Sequence, residues 1–337
     1  MTTELGSNGS ANLQSGLSIV LTKQRNRTLS SRAGTSYCVI ALMMVVFVCM
    51  FIIINVVSGG YSVLSVDFLL KPPNASAMSA EAGGIITPLF GTVALTGIGI
   101  LIAFPFSLAT AIFLCFYTRK NWFTSAIRYS IDILSGVPTI VIGLFSLSVF
   151  TNPKLVFLST PVENMEGVVT KAFGRSFLVA GIAMAVMVLP FVIKSMEEAL
   201  RSVPGLYIEG SYALGATKWR TINKVAIKTA IPGLVTGVVL GMGRIVGDTA
   251  IVWLALGGSV RMPGPRPWYW PPNWLATLKN SGATLTSYIY YTSPAGEGNN
   301  FNVAFGASLV LLALIIVLNA VTALIGYLAG RRMGEVE

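Results

Sequence analysis

Two long uncharged runs restrict this chain more than any other feature of its sequence. Residues Ile85–Tyr117 contain 33 consecutive positions without a charged side chain, and Tyr37–Val57 contain 21. A helix that crosses the hydrocarbon core of a bilayer needs about 20 largely apolar residues. Together with 54% apolar and 11% charged residues, these runs predict an integral membrane protein.

The longer run exceeds what one straight span requires. As a continuous helix it would be about 50 Å long, whereas the hydrocarbon core is about 30 Å thick. We therefore expect this helix to tilt, to kink near Pro105, or to begin with a non-spanning turn before Gly91.

Hydropathy predicts an all-α integral membrane protein with six transmembrane helices. Residues 1–36 are rich in small polar side chains and are expected to form a disordered tail. The transmembrane domain then covers residues 37–332, and Gly136 and Pro138 should break its third span. The expected spans are residues 37–57, 86–117, 127–150, 176–195, 231–257 and 302–328.

Basic residues cluster beside these spans, and their distribution predicts the topology. Positive charge favours the cytoplasmic side, which places both termini and the loop 196–230 inside and the loop 258–301 outside. The net charge of +10 is explained in this way, so nucleic-acid binding is not expected. Aromatic side chains between residues 268 and 291 suit a membrane interface or a protein contact.

Missing residue types exclude several functions. The chain has no histidine and no Gly-x4-Gly-Lys-Ser/Thr nucleotide loop. Its three cysteines, Cys38, Cys49 and Cys115, lie within apolar segments and fit inert packing. We therefore expect no catalytic, cofactor-binding or metal site, and the energy source must lie on another chain or in an ion gradient.

A polar stretch, Glu209–Arg220, separates two of the most apolar segments. Its sequence, EGSYALGATKWR, predicts a short helix, a tight turn at Gly215 and a second helix from about Thr217. Along the second helix, basic residues recur every four positions at Arg220, Lys224 and Lys228. Two functions fit this pattern: a helix that lies on anionic membrane lipid, or a docking surface for another protein.

One arginine lies about fourteen residues into the fifth predicted span. A lone guanidinium at that depth, such as that of Arg244, needs a partner or a water-filled cavity. Asp248 follows one helical turn later and is the expected partner. The pair could be structural, or Arg244 could meet a transiting oxyanion while Asp248 holds it in place and keeps anion binding weak enough for release.

The third span carries a second intramembrane charge. Asp132 lies one turn inside this span and could cap the helix end, pair with Arg128 at the i,i+4 position, or face the substrate path. The break at Gly136 and Pro138 could expose backbone groups to such a path. Thr139 is a candidate hydroxyl donor there, or it bonds to the preceding turn.

These motifs resemble those of bacterial ABC importer permeases. The polar stretch is similar to their cytoplasmic coupling loop. The motif of that loop is Glu-Ala-Ala, then three residues, Gly, nine residues and Ile-x-Leu-Pro. This chain departs from the motif at Gly210, Ser211 and Lys228. The following segment resembles the Arg-x-x-Gly-Glu-Thr motif of phosphate-specific permeases, with matches at Arg244, Gly247, Asp248 and Thr249. Residues 132–144, DILSGVPTIVIGL, resemble a second passage of that family.

This resemblance implies a type I, MetI-like importer permease fold in the bacterial inner membrane. The implied function is that of a transmembrane subunit of a phosphate importer, working with a second related permease, two ATPase subunits and an extracytoplasmic phosphate-binding protein. ATP and magnesium would be bound by the ATPase and no cofactor by this chain. The implied ATPase-coupling residues are Glu209, Gly210, Ser211, Ala213, Gly215, Ala216, Trp219 and Arg220. The implied substrate-path residues are Arg244, Asp248, Thr249, Asp132 and Thr139.

Three other functions remain open on the sequence. The chain could import another oxyanion such as sulfate or molybdate, for which the same architecture would serve. It could be an ion-coupled secondary transporter or channel, although no inverted repeat is visible and such a carrier needs no docking loop. It could also be a membrane scaffold or phosphate sensor, which would not need an arginine in mid-span.

Overall fold

The computed structural model describes residues 34–73, 83–118, 121–163, 169–258, 277–296 and 300–334. Most of the predicted tail and the aromatic segment up to residue 276 lie outside these ranges. The chain divides into two units, Met1–Ser58 and Gly59–Glu337. The described part of the first unit belongs to α1 (Gly34–Val63), whose most apolar window has a mean hydropathy of 3.1.

The second unit contains the remaining helices. In chain order they are α2 (Val66–Leu70), α3 (Ile86–Ile112) with a π-helical turn (Phe113–Tyr117), α4 (Trp122–Gly136), α5 (Thr139–Phe150), α6 (Phe177–Arg201), α7 (Gly205–Ala213), α8 (Lys218–Thr221) with a π-helical turn (Ile222–Ala226), α9 (Ile227–Gly247), a further π-helical turn (Val252–Leu256), α10 (Leu285–Thr292) and α11 (Phe301–Gly334). Two short strands, β1 (Pro161–Glu163) and β2 (Val169–Ala172), form an antiparallel hairpin between α5 and α6.

The helical architecture confirms the predicted fold class. Within the described residues, five helices are long and apolar enough to cross a membrane, or six if α4 and α5 count as one broken span. The second predicted span forms one 32-residue helix, Ile86–Tyr117, that continues past Pro105. Because it begins at Ile86, there is no separate non-spanning turn before Gly91.

The third predicted span, 127–150, is broken where the sequence predicts a break. Helices α4 and α5 meet at an angle of 101°. Val137 between them is extended, with φ −70° and ψ 127°, as expected for a residue that precedes proline. The predicted break therefore exists, and it turns the chain sharply.

The boundaries of the fifth predicted span, 231–257, are also wrong. One continuous 30-residue helix runs from Lys218 to Gly247. It ends there because Asp248 is extended, with φ −78° and ψ 137°, and a separate short helix follows. Since α6 also continues to Arg201, most of the predicted loop 196–230 is helical. Hydropathy missed these limits because the apolar run continues past Asp248.

Helix α6 is the centre of the second unit. In the most apolar 18-residue window of α6, 67% of the residues are buried. The corresponding share is 28% in the helix Ile86–Tyr117 and 28% in the helix Lys218–Gly247. Both of these helices therefore pack around α6. The main core joins residues of the three helices, including Leu95, Met184 and Ile245. A smaller core joins Phe68 of α2 to residues of α10 and α11.

Glycines bring the neighbouring helices close to α6, because small residues let two helix backbones approach each other. Added Cβ atoms at three successive α9 glycines would touch α6: Gly233 would meet Ala199, Gly237 would meet Ser195, and Gly241 would meet Val192. By contrast, a Cβ at Gly243 or Gly247 would meet no described atom within 4 Å. The glycine-rich run therefore packs through one face only.

The closest backbone contact of α3 provides a test of this packing. A Cβ on Gly91 would collide with the backbone carbonyl oxygen of Ala283, whereas a Cβ on Gly97 of the same helix would meet nothing within 4 Å. We expect Gly91→Ala to destabilise the protein by about 1–3 kcal/mol and Gly97→Ala to be neutral or slightly stabilising. Thermal unfolding of the two purified variants checks this expectation. Equal unfolding temperatures would contradict the packing described here.

Candidate functional site

Arg244 lies in the last turn of α9 and is held by α6. Its guanidinium carbon is 3.9 Å from the centre of the Phe191 ring, and its Nε donates a hydrogen bond to Sδ of Met187 at 3.1 Å. The side chain is nevertheless exposed. A cation in an apolar bundle is costly unless it faces a partner or a water-filled space. Here an aromatic face provides the contact, and the rest of the group stays accessible.

The predicted ion pair between Arg244 and Asp248 is not formed. The ion pairs among the described residues are Lys71–Asp67, Arg128–Glu197, Lys194–Asp132 and Arg201–Glu197. The prediction was wrong because α9 ends at Gly247, so the two residues are not one turn apart on a common helix.

Asp248 serves as the joint between α9 and the short helix that follows. Its Oδ2 accepts a hydrogen bond from the backbone N–H of Ile251 at 2.8 Å, and its carbonyl accepts one from the Thr286 hydroxyl at 3.1 Å. The carboxylate also interacts with the hydroxyl of Thr139, the first residue of α5. Asp248 therefore brings together three segments: the break in the α4–α5 pair, the end of α9, and α10.

The other threonine predicted for the substrate path lies beside this joint. Thr249 is half-buried, and its carbonyl accepts a hydrogen bond from the backbone N–H of Trp253 at 3.0 Å. Four predicted residues, Arg244, Asp248, Thr249 and Thr139, thus surround the end of α9. For Thr139 the contact with Asp248 favours a role at this joint over a bond to its own preceding turn.

Asp132 belongs to a different cluster. Its Oδ1 lies 2.6 Å from Nζ of Lys194, so the alternative pairing with Arg128 is wrong. Both charged residues of α4 contact α6. Arg128 forms an ion pair with Oε1 of Glu197 at 2.7 Å, and the same oxygen lies 2.7 Å from Arg201. Glu197 is buried although it is charged, which fits its two arginine partners.

The Asp132–Lys194 and Arg128–Glu197 ion pairs connect α4 to α6. Only Thr124 of α4 is buried, so few apolar side chains of this helix are enclosed by the described chain. Sequence reasoning missed the partners Lys194 and Glu197. A signal was present, because residues of opposite charge stand at i,i+4 spacing on α4 and at i,i+3 spacing on α6, and antiparallel helices could match them.

The polar stretch 209–220 forms the expected helix, turn and helix. Helix α7 ends at Ala213, Gly215 adopts φ +78°, and Thr217 is the N-cap of α8. Only glycine reaches such a positive φ without strain. The turn is fixed by a 2.9 Å hydrogen bond between the hydroxyls of Ser211 and Thr221.

This turn presents apolar and charged side chains together. Leu214 is 90% exposed, Leu206 78% and Trp219 59%. An exposed apolar patch of this kind marks a protein or membrane contact. Of the predicted coupling residues, Ser211 and Ala216 are half-buried, and the exposed ones are Glu209, Gly210, Ala213, Gly215, Trp219 and Arg220. Lys218 lies 4.5 Å from the ring centre of Tyr117, which joins the turn to the end of α3.

Comparison with known proteins connects both sites to one family. The family profile "Binding-protein-dependent transport system inner membrane component" matches residues 96–267, which include the turn and the end of α9. The chain belongs to this family. The chain is thus the membrane-spanning permease subunit of an ABC importer.

Two related permeases and one solved structure illustrate the relationship. Phosphate transport system permease protein PstA 1 of Mycobacterium tuberculosis (strain CDC 1551 / Oshkosh) is 31% identical over 251 residues, covering 74% of this chain and 73% of the relative. Phosphate transport system permease protein PstC of Haemophilus influenzae (strain ATCC 51907 / DSM 11121 / KW20 / Rd) is 33% identical over 191 residues, covering 54% of this chain and 60% of the relative. A chain of a bacterial alginate ABC transporter, crystallised with an alginate pentasaccharide-bound periplasmic protein, has a TM-score of 0.54 at 15% identity, covering 88% of this chain and 94% of that chain, and shows a shared fold.

The two glycines of the turn region provide a matched test of its geometry. Gly215 has a positive φ, whereas Gly210 lies inside α7 and a Cβ there would meet nothing within 4 Å. We expect Gly215→Ala to destabilise the turn by about 1 kcal/mol and Gly210→Ala to stabilise α7 by about 0.5–1 kcal/mol. Thermal unfolding of the purified variants measures both effects. A loss of stability in Gly210→Ala equal to that in Gly215→Ala would contradict the assigned geometry.

Proposed function

We propose that this chain is a transmembrane subunit of an ATP-driven importer of inorganic phosphate. The observation that carries the proposal is Arg244, an exposed guanidinium at the end of a spanning helix with no carboxylate of the described chain within ion-pairing distance. The relatives named as phosphate permeases support phosphate as the substrate.

An unpaired guanidinium suits a tetrahedral oxyanion. Its planar fork of N–H donors can bind two oxygens at once, and the bond is strengthened by charge. Asp248 lies one residue beyond α9 and forms no ion pair with Arg244, so it does not neutralise the guanidinium by direct contact. Such an arrangement allows a transient anion to bind and keeps its affinity moderate, which transport requires.

Hydroxyl groups complete the chemistry of this region. Thr139 and Thr249 flank Asp248, and both side chains are half-buried. A hydroxyl can donate to a phosphate oxygen or accept from a protonated phosphate. We assign both threonines to the substrate path. Asp132 is assigned to its cytoplasmic end, where its pairing with Lys194 leaves both side chains about half exposed.

The exposed turn is the proposed contact with the ATPase subunits. Leu206, Leu214 and Trp219 provide apolar anchors, and Glu209 and Arg220 provide charges for orientation. A helix that lies on lipid would need its apolar residues on one face, but Leu214 projects from the turn itself, beyond the end of α7. We therefore favour protein docking over lipid binding at this surface.

Movement at this surface can reach the arginine through one helix. From Trp219 to Arg244 the chain is helical throughout, a distance of about 38 Å at 1.5 Å per residue. A displacement imposed on α8 by the ATPase would therefore shift α9 and Arg244 relative to Asp248 across the helix break. Such a shift would open the substrate path alternately to each side of the membrane.

The remaining components of the importer are proposed by family. We expect a second, PstC-like permease, an ATPase dimer that binds ATP and magnesium, and an extracytoplasmic phosphate-binding protein. This chain would have no ATPase site of its own and no cofactor. It would cross the bacterial inner membrane several times with both termini in the cytoplasm, as its basic clusters indicate.

Replacement of Arg244 tests the proposed substrate. In proteoliposomes that contain the complete importer, we expect Arg244→Gln to abolish phosphate uptake while the complex still assembles, because the amide has neither the charge nor the fork of the guanidinium. Lys154→Gln removes an exposed cation outside both candidate sites and is the control, expected to retain uptake. Radiolabelled phosphate and sulfate are supplied in separate assays.

The uptake assays distinguish the role of Arg244 from the identity of the transported anion. Normal phosphate uptake by Arg244→Gln would refute the role of the arginine. Uptake of sulfate in place of phosphate by the unaltered complex would favour the second candidate, an importer of another oxyanion. Loss of uptake in both variants would show that the effect is not specific to the Arg244 guanidinium.

A further inference from the structure

Two residues of α6 hold Arg244, and neither carries a charge. Met187 and Phe191 are four positions apart and therefore share one face of the helix. Met187 is 2% exposed and accepts the hydrogen bond from Nε, while the Phe191 ring lies under the guanidinium. The separation of 3.9 Å is well inside the range of about 6 Å in which a cation is attracted to an aromatic face.

The contacts with Met187 and Phe191 leave the two terminal nitrogens of the guanidinium available. The guanidinium carbon lies over the Phe191 ring, whereas the group makes its hydrogen bonds along its edge, in its own plane. Nε is occupied by Met187, and within the described residues the two terminal nitrogens, Nη1 and Nη2, have no protein partner. These terminal nitrogens form one edge of the fork and can bind two oxygens of one anion.

A carboxylate in the same position would have the opposite effect. It would neutralise the guanidinium, occupy the terminal nitrogens and compete with the substrate anion. An aromatic ring stabilises the cation through its quadrupole and leaves the net charge in place. Asp248, the nearest acidic candidate, instead accepts from Ile251 and interacts with Thr139.

We propose that Phe191, supported by Met187, is a positioning residue for anion transfer: its ring holds the Arg244 guanidinium in a fixed plane with the terminal nitrogens open to the substrate. This inference rests on the proposed function and extends it to α6. It predicts that the electron density of the ring at position 191 determines transport efficiency, independently of side-chain size.

Fluorination of the ring gives an isosteric test. Phenylalanine carrying one, two or three ring fluorines is incorporated at position 191 of the complete importer in proteoliposomes, and phosphate transported per ATP hydrolysed is measured. Each fluorine weakens the negative face of the ring while its shape changes little. We expect transport efficiency to fall stepwise, to about one tenth with three fluorines, and assembly of the complex to stay constant.

Phe116 provides the matched control. It is a partly buried phenylalanine that packs against the same core, and no contact with Arg244 is found for it within the described chain. The same fluorinated series at position 116 should leave transport efficiency unchanged. Conventional variants add a second readout: Phe191→Trp should keep at least half of the efficiency, and Phe191→Met, which retains apolar volume without a ring, should lose about ten-fold.

A coupled variant separates this proposal from the proposed function. In an Arg244→Lys background, Phe191→Met should cost no more than about two-fold, because the ammonium is still attracted to a ring but has no planar fork for the ring to orient. A flat response to fluorination at position 191, with Arg244→Gln inactive, would overturn the positioning role and leave the proposed function intact. Normal uptake by Arg244→Gln would instead overturn the proposed function itself.

Discussion

The close antiparallel contact between α6 and α9 is the interaction on which the rest of this permease depends. Three glycines of α9 contact three residues of α6 in reverse order along the chain, as antiparallel helices do. The contacts are Gly233 with Ala199, Gly237 with Ser195, and Gly241 with Val192. Arg244 is the next position in this register, and it meets Phe191 and Met187. Without side chains at the glycines the backbones approach closely, and the guanidinium reaches the aromatic ring as a consequence.

The same helix pair connects the two candidate sites. The continuous helix that contains α9 begins at Lys218, beside the exposed turn, and ends at Gly247, next to Asp248. On the other side of that turn, α6 leads into α7. The ion contacts of Glu197 with Arg128 and of Lys194 with Asp132 attach α4 to α6. Helix α5, beyond the sharp bend, returns to Asp248 through Thr139. In the proposed coupling, a force applied at the turn would reach the arginine through both helices.

Local sequence patterns were sufficient for the helices and the turn. The uncharged runs indicated the long helices, Gly215 indicated the tight turn, and Gly136 with Pro138 indicated the break between α4 and α5. The end of α9 could not be predicted, because apolar residues continue beyond Asp248 and hydropathy is insensitive to a helix cap. The Arg244–Phe191 contact joins residues 53 positions apart in the sequence and requires the register of two packed helices.

The most direct test of the account is the rate of ATP hydrolysis by the complete reconstituted importer, measured with its binding protein loaded with phosphate and, separately, exposed to sulfate. If this chain couples phosphate movement to ATP hydrolysis through the α7–α8 turn, the phosphate-loaded binding protein will stimulate hydrolysis and the sulfate-exposed one will not. Failure of the ATPase subunits to associate with the permease pair, or equal stimulation by both anions, would contradict it.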